Sequence, residues 1–195
     1  MFKQRLAAAL ALCLLLIGPT LAAEPKLKPG DLAPDVVGKT LDGEVVKLSA
    51  YSGKVIVLSF WATWCPYCIK ELPILNNIQT KIGKDQLAVI AVNVEERKVF
   101  KAAQRALGGV LNVNFAYDPE ETGRNNYGVD SYPHMAIIGA DGRILRVYRG
   151  YGEGMLDTIV SDLNKALKAQ AELREKQGAA VSAGSTAPAA TETRP

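Results

Sequence analysis

The chain is poor in the residues from which most metal and acid–base sites are built. Its 195 residues include three cysteines and one histidine. A structural zinc site takes about four ligands. Cys65, Cys68 and His134 fall one short of that, so zinc would need a carboxylate or a second chain. No long basic stretch occurs and the net charge is only +3. That argues against a nucleic-acid partner, because phosphate recognition needs clustered Lys and Arg. No internal repeat is visible, which excludes a stacked-repeat architecture. Large apolar residues are nearly missing from 178–195, where Ala, Ser, Gly, Thr and Pro dominate. Such a segment buries too little surface to offset chain entropy and is expected to be a disordered tail.

What is present begins with a leader. Lys3 and Arg5 precede the apolar run Leu6 to Ile17, Gly18-Pro19 interrupts it, and Thr20-Leu21-Ala22-Ala23 supplies small residues. That order reads as a secretory signal over 1–23, cut after Ala22 or Ala23. The rival is an uncleaved anchor. A spanning helix needs about 20 apolar residues, and the Gly-Pro pair breaks this one. Cys13 follows bulky Leu12 and is poorly placed for lipid attachment. Export leaves only Cys65 and Cys68, in a compartment where thiols oxidise. A disulfide closing so short a loop constrains the unfolded chain little. The pair therefore reads as one that cycles, not as a brace.

The two cysteines stand at the end of a strand-like run, Val55 to Phe60, followed by Trp61-Ala62-Thr63-Trp64-Cys65-Pro66-Tyr67-Cys68. Proline suits the first turn of a helix, where its missing N–H costs nothing. Cys65 is thus expected to cap a helix, its sulfur near unpaired N–H groups and the positive end of the dipole. That environment favours thiolate, the reactive form. Cys68 follows one turn later.

Around this motif the pattern alternates strand and helix. Asp42-Gly43 between Val36-Val37 and Val45 to Leu48 predicts a hairpin. Ile69, Leu72, Leu75 and Ile78 form a helical stripe, with Pro73 expected to kink it. Leu87 to Val94 is a central strand, continuous enough to be covered on both faces. Glu96 to Leu107 is a helix, and the charges Glu95 to Lys98 and Lys101 read as a solvated face. Val113 to Tyr117 is a short strand and Pro119 to Tyr127 a short helix. A second hairpin, Met135 to Ile138 with Ile144 to Tyr148, precedes a last helix over Met155 to Lys168. The class is α/β with a mixed sheet, and the cysteine helix starts where open sheets place their sites.

Taken together, these residues resemble the thioredoxin fold, and specifically the exported TlpA/ResA-like thiol–disulfide oxidoreductases. The likeness spans about Gly30 to Leu167. Gly30-Asp31-Leu32-Ala33-Pro34-Asp35, Ser59 to Cys68, Glu71-Leu72-Pro73, Tyr127-Gly128-Val129 and Tyr132-Pro133 stand in family order. The resemblance implies a thioredoxin-like domain over 26–177: a central mixed sheet flanked by helices, with an extra N-terminal hairpin. It implies catalysis by Cys65 and Cys68, with Glu71 as proton acceptor and Pro133 as a cis-proline. Trp64, Pro66, Tyr67, Tyr132 and His134 would contact substrate. It further implies protein dithiol or disulfide partners, possession of no cofactor beyond the Cys65–Cys68 disulfide, and an upstream membrane electron donor. The location would be the periplasm of a bacterial envelope, with membrane contact only through an uncleaved signal. The family's work is typically reductive, for example on apocytochrome c. Two departures stand out. Ser59 takes the place of a buried aspartate found in thioredoxin, and Tyr132 and His134 flank the proline where the family often has a small or β-branched residue before it and a hydroxyl residue after it.

Two rival functions remain at this point. Cys65, Cys68 and His134 could form a soft copper(I) site in a metallochaperone of the same fold. A buried, unreactive disulfide would instead make the domain a binding module.

Overall fold

The computed structural model describes residues 27–150, 152 and 154–184. The expected signal at 1–23, with Cys13, and residues 185–195 of the expected tail lie outside the described residues.

Strands β1 (Val36–Lys39) and β2 (Val45–Lys47) form the opening hairpin, followed by a single 3-10 turn, Leu48–Tyr51. Then come β3 (Val55–Trp61), α1 (Pro66–Ile82), β4 (Leu87–Asn93), α2 (Arg97–Leu107), β5 (Asn114–Tyr117) and α3 (Thr122–Asn126). Strands β6 (His134–Ile138) and β7 (Ile144–Arg149) and helix α4 (Met155–Gly184) close the domain. One seven-stranded sheet results, in the order β2-β1-β5-β4-β3-β6-β7. Strands β3, β4 and β5 run parallel, while β1 and β6 pair antiparallel with β5 and β3. This is the thioredoxin-like architecture, with the extra hairpin at one edge.

Every residue of β3 and β4 is buried, as their unbroken apolar runs require of strands covered on both faces. Alternation divides the core in two. Val55, Val57 and Trp61 face Leu72 and Leu75 of α1 and Ile159 and Leu163 of α4. Ile56, Leu58 and Phe60 face Val37, Leu48 and Tyr127. On that second side α3 is pressed onto β1 at Gly123, where a Cβ would overlap the Val37 carbonyl.

Helix α1 is continuous through Pro73, which is exposed. Helix α4 runs well beyond the expected end at Lys168, and its last residues, 178–184, belong to the segment read as disordered. As far as Arg174, the physical reason lies in tertiary contact. Gln170, buried, donates to the Gly53 and Gln86 carbonyls at 2.8 and 2.9 Å. Arg174 donates to the Asp85 carbonyl at 2.9 Å. The helix is thereby fastened across the loops that lead into β3 and β4, and residues 169–177 contain no strong breaker. Among the described residues no helix is long and apolar enough to cross a membrane.

Candidate active site

Cys65 is the N-cap of α1, with Pro66 in the first helical position. Its sulfur accepts a hydrogen bond from the Cys68 amide at 3.2 Å. It therefore occupies the place where unpaired N–H groups and the helix dipole stabilise negative charge, by about 0.3–1 kcal/mol on a surface site. Cys65 and Cys68 are joined as a disulfide, with their Cα atoms 5.3 Å apart. The two sulfurs differ in access: Cys65 is 4% exposed and Cys68 fully buried. A disulfide with one approachable sulfur directs attack to that end.

Glu71 is buried on the same helix, one turn after Cys68. Burial pushes its carboxyl up from 4.5 to about 7, and a hydrogen bond from Ser59 opposes the rise. Ser59 shares the sheet face of Val57 and Trp61, which looks onto α1, and its hydroxyl donates to Glu71 Oε1 at 2.8 Å. The serine that departs from the thioredoxin pattern is thus tied to Glu71, the carboxyl expected to take the aspartate's place. A buried carboxyl raised this way, one helical turn from Cys68, is suited to take a proton there once the pair is reduced.

The rim is aromatic. Trp64 is 65% and Tyr67 52% exposed, and Lys70 lies 5.8 Å over the Tyr67 ring. Pro66 is exposed beside them. Tyr132, half-buried, meets Trp64 edge to face, with ring centroids 5.6 Å apart. The Tyr132–Pro133 peptide bond is cis, and Pro133 is buried. Because Phe60 pairs with His134, this bond lies at the same end of the sheet as Cys65. Trp61 is fully buried and packs against Phe115 at 6.4 Å.

His134 corrects an expectation. The sequence suggests a substrate contact or a copper ligand, but the residue is completely buried. It begins β6, where alternation puts Met135 and Ile137 on the α1 side and Ala136 and Ile138 on the other. His134 falls on the second side and packs edge-on against Phe60 at 6.3 Å. The sheet separates it from the cysteines. With His134 on the Phe60 face, the copper reading loses its third ligand.

Glu95 departs from the solvated face expected of it. Glu96, Arg97, Lys98 and Lys101 are indeed exposed, but Glu95 is only half so. Its carboxylate accepts from the Thr63 amide at 2.6 Å and the Thr63 hydroxyl at 2.9 Å. Its position just past the C-terminal end of β4, the end of the sheet at which the cysteines follow β3, is the signal available in the sequence.

With this geometry in place, similarity becomes informative. The Redoxin family model matches residues 28–167. The chain belongs to the Redoxin family. Within it, the chain is 35% identical over 128 residues to the thioredoxin-like protein YneN of Bacillus subtilis (strain 168), covering 65% of this chain and 75% of that one. It is also 35% identical over 123 residues to the thiol-disulfide oxidoreductase ResA of Geobacillus thermodenitrificans (strain NG80-2), covering 62% and 69%. A crystal structure described as a putative thiol:disulfide interchange protein DsbE, from Chlorobium tepidum, superposes with a TM-score of 0.66. It shares 31% identity and covers 73% of this chain and 99% of that one. This Redoxin protein is a thiol–disulfide oxidoreductase, and Cys65–Cys68 is its disulfide pair.

Proposed function

We propose that this Redoxin protein is an exported reductase of protein disulfides in the bacterial envelope. The observation that carries this reading is the asymmetry of the pair: Cys65, next to the exposed Trp64, keeps 4% exposure, while Cys68 has none. In the reduced protein the Cys65 thiolate attacks one sulfur of a substrate disulfide. That S–S bond breaks, and the departing substrate thiolate takes a proton. A mixed disulfide forms between Cys65 and the substrate. Glu71 accepts the Cys68 proton, and the Cys68 thiolate attacks Cys65, releasing the second substrate thiolate, which is protonated in turn. Two electrons pass from dithiol to substrate, and the Cys65–Cys68 disulfide is left. A membrane dithiol donor then reduces it. Likeness to ResA supports a reductive role, with apocytochrome c or another metal-site protein as substrate before cofactor loading. The mature domain uses no organic cofactor and meets the membrane through its donor or a retained signal.

The test is trapping in cells. Cys68→Ser should hold substrates on Cys65 as mixed disulfides for identification by mass spectrometry. Wild-type protein should be found mostly as the dithiol. A steady state that is wholly disulfide would reverse the proposed direction, and the absence of any trapped protein would remove the function.

A further inference from the structure

Trp64 is too exposed to be fixed by burial, and Tyr132 lies in a loop, yet the two rings meet in a defined edge-to-face arrangement. Something behind them must hold each one. For Trp64 it is Glu95, whose carboxylate grips both the amide and the hydroxyl of the preceding residue, Thr63. Glu95 is itself fixed by Asn93, a wholly buried residue at the end of β4. Asn93 Nδ2 donates to Glu95 Oε2 at 3.1 Å, and the Glu95 amide donates to Asn93 Oδ1 at 2.9 Å. For Tyr132 it is Arg124, whose Nη1 donates to the phenol oxygen at 3.4 Å and which also pairs with Glu121. The Arg124 amide donates to buried Asp118 at 2.7 Å. Glu95, Asp118, Glu121 and Arg124 line one groove of about 380 Å³ at the C-terminal ends of β4 and β5.

We propose that Glu95 and Arg124 are positioning residues that hold Trp64 and Tyr132 as a two-sided jaw for a polypeptide disulfide. The inference rests on the reading that the substrate is a protein. Hydrogen bonds to ionised groups are the stronger kind. Here two of them act on the loop before Cys65 from a residue that takes no part in thiol exchange. A small disulfide can reach the Cys65 sulfur without lying across both rings. A polypeptide has to lie across them. Loosening either jaw therefore weakens polypeptide binding and leaves the exchange step intact.

The experiment compares insulin with hydroxyethyl disulfide as substrates of the purified mature protein. In Glu95→Ala and in Arg124→Met, kcat/KM for insulin should fall about fivefold through KM, the scale of one lost aromatic contact. The rate with hydroxyethyl disulfide should stay at the wild-type value, which also shows that the variants fold. Thr63→Ser retains both donors and should keep the wild-type KM, whereas Thr63→Val loses the hydroxyl and should raise it. Equal losses on both substrates, or an unaltered insulin KM in both variants, would overturn the jaw. Wild-type protein that reduces hydroxyethyl disulfide but not insulin would remove the polypeptide reading itself, and the jaw with it.

Discussion

Glu71 shows how one buried side chain links chemistry to stability. Its carboxyl is raised from 4.5 to about 7 by burial. A group raised in the fold contributes stability that is fully present below its unfolded value and lost as pH rises through the folded one. Glu71→Gln, neutral at every pH, should therefore gain on wild type as the pH is raised from about 4 to about 8.5, read from urea midpoints. The same substitution should flatten the pH dependence of thiol reactivity near neutrality. Ser59→Ala should shift that dependence to higher pH, because it removes the hydrogen bond that opposes the rise. Rates of disulfide exchange by the reduced protein across pH would check both. Identical profiles in all three proteins would take Glu71 out of the proton path.

At the scale of elements, Asp162, Gln170 and Arg174 of α4 fasten the helix to the sheet and to the loops that enter it. Asp162 accepts from Arg146 Nε and the Tyr148 hydroxyl of β7, at 2.9 and 2.8 Å, and from Lys165 at 3.1 Å. Those partners lower its carboxyl from 3.8 to about 2. A depressed acid contributes stability above its ordinary value, and that stability is lost as pH falls through the folded one. Asp162→Asn should thus melt below wild type at neutral pH, and the gap should close as the pH approaches about 2. Gln170 is the second fastening, buried with its amide between two backbone carbonyls. Gln170→Ala would take one donor from each carbonyl, leaving the Val55 amide on Gln86 and Arg174 on Gly53, and should cost about 0.5–1.5 kcal/mol per lost bond by chemical denaturation.

For the whole molecule, the redox site and the fastened end of α4 lie at opposite poles of the sheet. Cys65 follows the C-terminal end of β3, whereas Gln170 and Arg174 hold Gly53, Asp85 and Gln86 ahead of β3 and β4. Residues far apart with no shared partners act nearly independently. A chain ending at Lys168 should lose stability to denaturant yet reduce hydroxyethyl disulfide at the rate of the full-length protein under native conditions. A fall in that rate for folded, truncated protein would show that the two poles communicate.

The local pattern by itself determined the strands, the helices and the helix-capping cysteine, because hydrophobic period, Asp-Gly turns and a proline after Cys65 act within a few residues. Tertiary structure decided what depends on which face a residue takes and what stands opposite it. His134 went behind the sheet because its strand starts one residue earlier than the apolar run suggested. Glu95 left the solvated face because Thr63, distant in sequence, offered it two donors. Helix α4 outran its apolar stripe because backbone carbonyls at the far pole accept from Gln170 and Arg174. Nothing in the immediate sequence around these residues names the partners, since each is brought near only when the sheet has closed.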